Sequence, residues 1–222
     1  MTERFQNNEG NIVIYSDENR TQYISDRGRG QRAKRTLRLI TGAPEDKQIE
    51  EAPFFIIPDD FFDWLIFRFM TDKKILDEDE NLILNQISGF KGQGLEKQAT
   101  LSGNGNEIMN LFSSMAFLLE SDELTEIEIN LTKSGETYVI RFYSKNSQID
   151  TNFSQYTGIE MFNIDEKDRH ARILLNIFID IISSVEIAFN NDIEDDEWNK
   201  EIREGLKETI AQSIMDRLEG FK

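Results

Sequence analysis

The run Thr125-Glu-Ile-Glu-Ile-Asn-Leu131 alternates polar and apolar residues, and Tyr138-Val-Ile-Arg-Phe-Tyr143 does so again after Lys133-Ser-Gly-Glu136. Alternation with a period of two is the mark of a strand, because successive side chains point to opposite faces. Two such runs around a Ser-Gly pair predict a β-hairpin. One face of that hairpin is apolar and the other polar, which is the pattern of an antiparallel sheet buried on one side. The rest of the chain must therefore supply a cover for Ile127, Ile129 and Leu131.

The cover is expected to be helical. From Arg169 to Phe189 nearly every residue is apolar except Arg172, Asn176, Asp180 and Ser184, which recur every four positions. A span of bilayer needs about 20 mostly apolar residues, and carboxylates inside it are costly. The run therefore reads as a long central helix within a core. Pro58-Asp-Asp60 signals a second helix start, followed by Phe61, Phe62, Trp64, Leu65, Phe67 and Phe69. Acidic residues there favour the positive end of a helix and can cap it. Trp198, Ile202, Leu206, Ile210, Ile214 and Leu218 recur every four residues in a last helix, with the acidic run at 192–197 as its cap. A spacing of four overshoots the 3.6-residue turn, so this stripe drifts around the axis.

The segments before and between these are read as follows. Residues 11–15 and 21–24 form a short hairpin, 53–57 a buried strand, and 36–40 a weakly alternating run. Asp77-Glu-Asp-Glu80 opens a helix carrying Leu82, Ile83 and Ile87. Residues 89–105 form a glycine-rich loop, and Ile108, Leu111, Phe112, Met115 and Leu119 a further amphipathic helix. The expected fold class is α+β: an antiparallel sheet with helices packed against it and a long central helix. Residues 1–222 are read as one domain, with an N-terminal β subdomain over 1–58 as an option within it.

Composition removes much chemistry. The chain has no Cys and one His, His170. Disulfides, thiolate metal sites and cysteine nucleophiles are excluded within the chain. A triad would have to use His170, which stands beside Asp168 and Arg169 without an obvious nucleophile. No catalytic group, metal site or cofactor is expected, and a non-enzymatic role is favoured. Residues 1–10 are polar, so no leader is expected and the cytoplasm is the expected location. Ala is scarce while Ile and Asn are abundant, a bias of AT-rich codons found in many bacteria and their phages.

The segment Gly89-Phe-Lys-Gly92-Gln-Gly94-Leu95 resembles the ATP lid of GHKL-type ATPases. The resemblance stops there, because the D-x-G-x-G motif that accompanies such a lid is absent. A P-loop is absent as well. A nucleotide- or metal-dependent enzyme using residues 89–105 is kept as one alternative.

Charge gives the leading reading. With 25 Lys and Arg against 42 Asp and Glu, the net charge is −17. Binding to duplex DNA needs phosphate neutralisation and is disfavoured. Complementary charge instead suits a basic protein partner and speeds encounter with it. The chain is therefore read as an acidic partner-binding protein, such as an inhibitor, an immunity protein or an accessory subunit of a mobile-element or phage-defence system. Asp77, Glu78, Asp79, Glu80, Asp192, Glu194, Asp195 and Asp196 are the candidate partner-binding residues. One segment runs the other way: residues 27–38 carry six basic residues and no acidic one, and residues 27–35, with Gly28 and Gly30 and no apolar periodicity, are read as a loop. Arg29, Arg32, Lys34 and Arg35 in it are the candidates for a nucleic-acid or anion contact, the second alternative. The Phe-rich helix and the drifting stripe offer surplus apolar surface, so a homodimer or hetero-complex is expected.

Overall fold

The computed structural model describes residues 12–17, 20–25, 31–44, 55–94, 98–102, 112–162 and 165–219. In chain order these form β1 (Ile12–Asp17), β2 (Arg20–Ser25), α1 (Gln31–Thr41), α2 (Phe61–Met70), β3 (Ile75–Asp77), β4 (Leu82–Gly94) and β5 (Gln98–Ser102). There follow α3 (Phe112–Glu120), β6 (Ser121–Lys133), β7 (Glu136–Tyr143), β8 (Gln148–Thr151), α4 (Glu166–Leu175), α5 (Ile182–Glu194) and α6 (Lys200–Glu219).

The hairpin stands where the alternation puts it. β6 and β7 pair in register from Glu126–Tyr143 to Lys133–Glu136. Ser134 and Gly135 both have positive φ, as a two-residue turn of matching twist requires. The sheet extends to β8 on one side and to β4 on the other, all antiparallel, with β3 and β5 lying end to end along the outer edge of β4. This is an α+β fold with an antiparallel sheet covered by helices.

β4 overturns two expectations. Residues 82–88 are a strand, not a helix, and 89–94 continue that strand rather than a loop. The cause is two bulges. Leu84, Ile87 and Phe90 oppose Leu131, Ile129 and Ile127, so every third residue of β4 meets every second residue of β6. Each bulge adds one residue to β4. Apolar positions at 84, 87 and 90 thus mimic helical spacing while facing one side of a sheet. Gly89 and Gly92 lie within both ladders of β4, between β5 and β6. Asp77 accordingly ends β3, and Glu78 to Glu80 lie in the β3–β4 turn and open no helix. Residues 95–97 and 103–111 lie outside the described residues.

The core face is covered by α2 and by a continuous helix from Glu166 to Glu194, which is the expected long central helix. That helix is long and apolar enough to cross a membrane by length and composition, and half of the stretch in question is buried within the fold. Its middle, Asn176–Ile181, is π-helical. Ile173, Ile177, Ile181, Val185 and Phe189 are all buried at spacings of four. A regular α-helix would rotate such a row away from the sheet. A local turn holding more residues returns it, which accounts for the π segment. Ser184 is buried too, so the expected polar stripe on this helix is not solvent-facing throughout. Phe61 joins the layers, with ring centroids 5.4 Å from Phe142 on the sheet and 5.7 Å from Phe189 on the long helix.

Two further readings change, and a third is borne out over its described residues. Residues 36–40 lie in α1, with Leu37 buried. Phe55 and Ile57 are buried but belong to no strand, and Ile57 donates its N–H to Ser147 Oγ at 2.9 Å. α3 begins at Phe112, and the earlier part of the expected helix lies outside the described residues. The β1–β2 hairpin is its own two-stranded sheet and buries Val13 and Ile24 against Leu174 of α4.

Candidate functional site

The two predicted acidic segments meet the same short strand from opposite ends. Just before β3, Lys73 Nζ lies 2.9 Å from Glu197 Oε2, in the corner between α5 and α6. Just after it, Lys133 Nζ stands 3.1 Å from Glu80 Oε2 and 3.7 Å from Asp180 Oδ2 of the long helix. Residues 77–80 and 194–197, far apart in the chain, therefore share one edge of the molecule. Glu78, Asp79, Glu80, Glu194, Asp195 and Asp196 are exposed there, and Asp77 is half-buried with its Oδ1 accepting the Glu80 N–H. The hydrogen bond from Lys73, with its charge, holds the Glu197 carboxyl below its ordinary pKa. Two lysines thus organise an edge that remains negative.

Asp192 does not belong to that surface. It is 4% exposed and sits inside α5. Its carboxylate accepts from Arg68 Nε at 2.7 Å, Arg68 Nη2 at 2.8 Å and Trp64 Nε1 at 2.7 Å. The reason is its position: Val185, Ala188, Phe189 and Asp192 occupy one helical face, and that face is core. A second indole repeats the arrangement, with Trp198 Nε1 donating to Asp60 Oδ2 at 2.9 Å. Asp60 consequently makes no side-chain cap for α2. Nor does the acidic run cap α6. Asn199 does so, its Oδ1 accepting the Ile202 N–H at 2.9 Å. Reading these sites from the sequence required noticing single charges, Arg68 and Asp192, inside otherwise apolar stripes.

Of the basic candidates, Lys34 and Arg35 lie on α1, half-buried and exposed respectively, and Arg32 lies on the same helix. Arg29 lies outside the described residues. The part of the basic segment that is described is helix rather than loop.

A second exposed feature was not foreseen. The turn Ile159–Phe162 presents Ile159, Met161 and Phe162 to solvent, with Phe162 85% exposed. It is held in place by Ile159 N–H donating to Glu136 Oε1 at 2.9 Å and by Glu160 N–H donating to Tyr156 Oη at 3.3 Å. Arg172 of α4 lies 3.8 Å from Glu160. Gly158 admits this close turn, since a Cβ there would stand 2.3 Å from the Tyr156 hydroxyl.

A cleft of about 1260 Å3 opens between α2, α6 and the ends of β6 and β7. Several of the charges on its walls are matched: Arg203 with Asp63 at 2.8 Å, Glu126 with Lys91 at 2.7 Å, Lys200 with Glu204 at 3.6 Å. Burial pushes the Asp63 carboxyl above its ordinary pKa, against the pull of Arg203. No nucleophile and base converge on it among the described residues. His170 stacks on Phe153 with ring centroids 4.0 Å apart and has Glu166 Oε1 at 3.8 Å, so its ring packs α4 against the turn after β8. Among the described residues no three His, Asp or Glu side chains converge on a metal position.

The fold and its surface thus define an α+β protein whose most organised exposed feature is an acidic edge. No family model, curated protein or solved structure matches the chain.

Proposed function

We propose that this chain is an acidic partner-binding protein, recognising a basic protein through the edge where the β3–β4 turn meets the α5–α6 corner. One observation carries the reading: the acidic turn that follows the three-residue strand β3, and the acidic corner at 194–197 that the Lys73–Glu197 pair ties just before it, lie at the two ends of that strand. Collecting like charge costs stability through self-repulsion, and a cationic partner removes that cost while its arrival is steered by the same field. An inhibitor, an immunity protein or an accessory subunit of a mobile-element or phage-defence system would use such an edge.

The test is capture of tagged protein from the native host, with protein mass spectrometry and nucleic-acid staining of what co-purifies. A stoichiometric basic protein is expected. The variant Glu78→Lys, Asp79→Lys, Asp195→Lys should lose it, and added salt should slow its association. Recovery of the chain alone, or undiminished capture by the triple variant, would overturn the proposal. Nuclease-sensitive material in place of a protein would move the function to α1 and its Lys34 and Arg35.

A further inference from the structure

We propose that the exposed face of α1 docks on the outer face of the Glu166–Glu194 helix of a second copy of this chain. The receiving surface comes first. Ile179, Ser183, Ile187, Asn190 and Glu194 are all exposed, and their spacings of four, four, three and four place them on one side of the helix. Ile187 is 56% exposed and Ile179 nearly as much. No Lys or Arg occurs between Arg172 and Lys200, whereas Asp180, Glu186 and Glu194 stand on or beside this stripe. Two exposed isoleucines thus stand among Ser183, Asn190 and acidic residues, of which Asp180 is shared with Lys133 of β6.

The complementary surface is on the same chain. The segment 27–38 holds the six basic residues that no acidic residue offsets, and α1 carries its second half. Leu37 is buried, which turns Arg35, Thr36, Leu39 and Ile40 outward; all four are exposed, Leu39 by 80%. They pair at i, i+4 as 35 with 39 and 36 with 40, so α1 shows two large apolar side chains beside a guanidinium. Eleven residues of helix run about 16 Å, and the eight-residue step from Ile179 to Ile187 runs about 12 Å. The outward residues 35–40 of α1 span about 8 Å, so they fit alongside that step in a side-by-side packing of the two helices.

Within one copy both faces are exposed at once, so neither covers the other. A second copy is the occupant whose chemistry is already on the page. Because each copy carries both faces, a twofold arrangement satisfies both contacts and doubles the area of a single helix contact.

Charge exchange tests this. The wild-type chain should sediment as a dimer at micromolar concentration. Arg35→Glu alone and Glu186→Lys alone should each weaken dimerisation on the order of tenfold, since each places like charges together in both contacts. An equimolar mixture of the two variants should recover a heterodimer, with one native and one reversed contact. Circular dichroism and thermal midpoints of the single variants report that they are folded. A wild-type chain monomeric throughout, or a mixture no tighter than its components, overturns the proposal. The acidic-edge variant Glu78→Lys, Asp79→Lys, which leaves Asp195 beside the stripe residue Glu194 untouched, should still dimerise, which separates this outcome from failure of the partner-binding reading.

Discussion

Glu136 shows how one side chain sets the geometry of a corner. Its carboxylate accepts from Tyr138 Oη at 2.5 Å, from Tyr156 Oη at 3.0 Å and from the Ile159 N–H. Burial pushes its pKa up, but the three donors together outweigh burial and hold it below the ordinary value. The same burial, with the neighbouring carboxylate, pushes the Tyr156 hydroxyl up to about 12 and raises Tyr138 as well. A tyrosine whose pKa is higher in the folded chain than in the unfolded one stabilises the fold fully below the unfolded value. That contribution fades as pH rises towards the folded value. The window here runs from about 10 to about 12. The thermal midpoint of the wild-type chain should therefore fall across that range more than that of Tyr156→Phe. Equal losses in the two proteins would show that Tyr156 does not set the alkaline limit. For Glu136 the sign is opposite: its stabilisation holds above the unfolded value and is lost as pH falls through the depressed one.

At the scale of elements, what the sequence made legible was whatever kept a single period. β6 and β7 alternate without interruption, and the hairpin, its turn and its buried face followed directly. The long helix was legible for the same reason, although its π segment was not. β4 was misread because bulges at Asn85 and Ser88 changed its period from two to three. These two residues had a signal of their own in retrospect. Asn85 donates to Asn130 and Thr132, and Ser88 to Glu128, so the added residues turn polar side chains onto the solvent face. The acidic residues of the candidate edge were legible as types. The placement of 194–197 at the other end of β3 was not, because it depends on an ion pair between residues far apart in the chain, Lys73 and Glu197. The hairpin turn gives a test at this scale. Ser134 has φ 50° and Gly135 φ 87°. Left-handed backbone costs an L side chain roughly 1–2 kcal/mol, and Asn bears it better than other residues. Gly135→Ala should destabilise the chain by about 1 kcal/mol, and Ser134→Asn should leave it unchanged or more stable, both read by chemical denaturation. A neutral Gly135→Ala would mean that this turn adjusts its backbone at little cost.

At the scale of the whole molecule the question is which electrostatic effect dominates. A net charge of −17 pushes the compact chain apart. Against this stand ion pairs such as Lys73–Glu197 and Lys200–Glu204, whose partners are well exposed. Exposed pairs contribute about 0–1 kcal/mol each and are themselves screened. Among the described residues the one deeply placed pair, Arg68 with Asp192, lies beyond the reach of most screening. Repulsion among many like charges therefore outweighs what salt takes from a few pairs. Raising sodium chloride from low ionic strength should raise the thermal midpoint, with most of the gain complete near physiological strength, where the screening length has fallen to about 8 Å. The variant Glu78→Lys, Asp79→Lys, Asp195→Lys should start higher at low salt and gain less, because it removes repulsion at the edge itself. If instead the wild-type midpoint falls with salt, the lysines compensate the edge more than they leave it negative. The electrostatic reason for that edge to seek a cationic partner would then be gone.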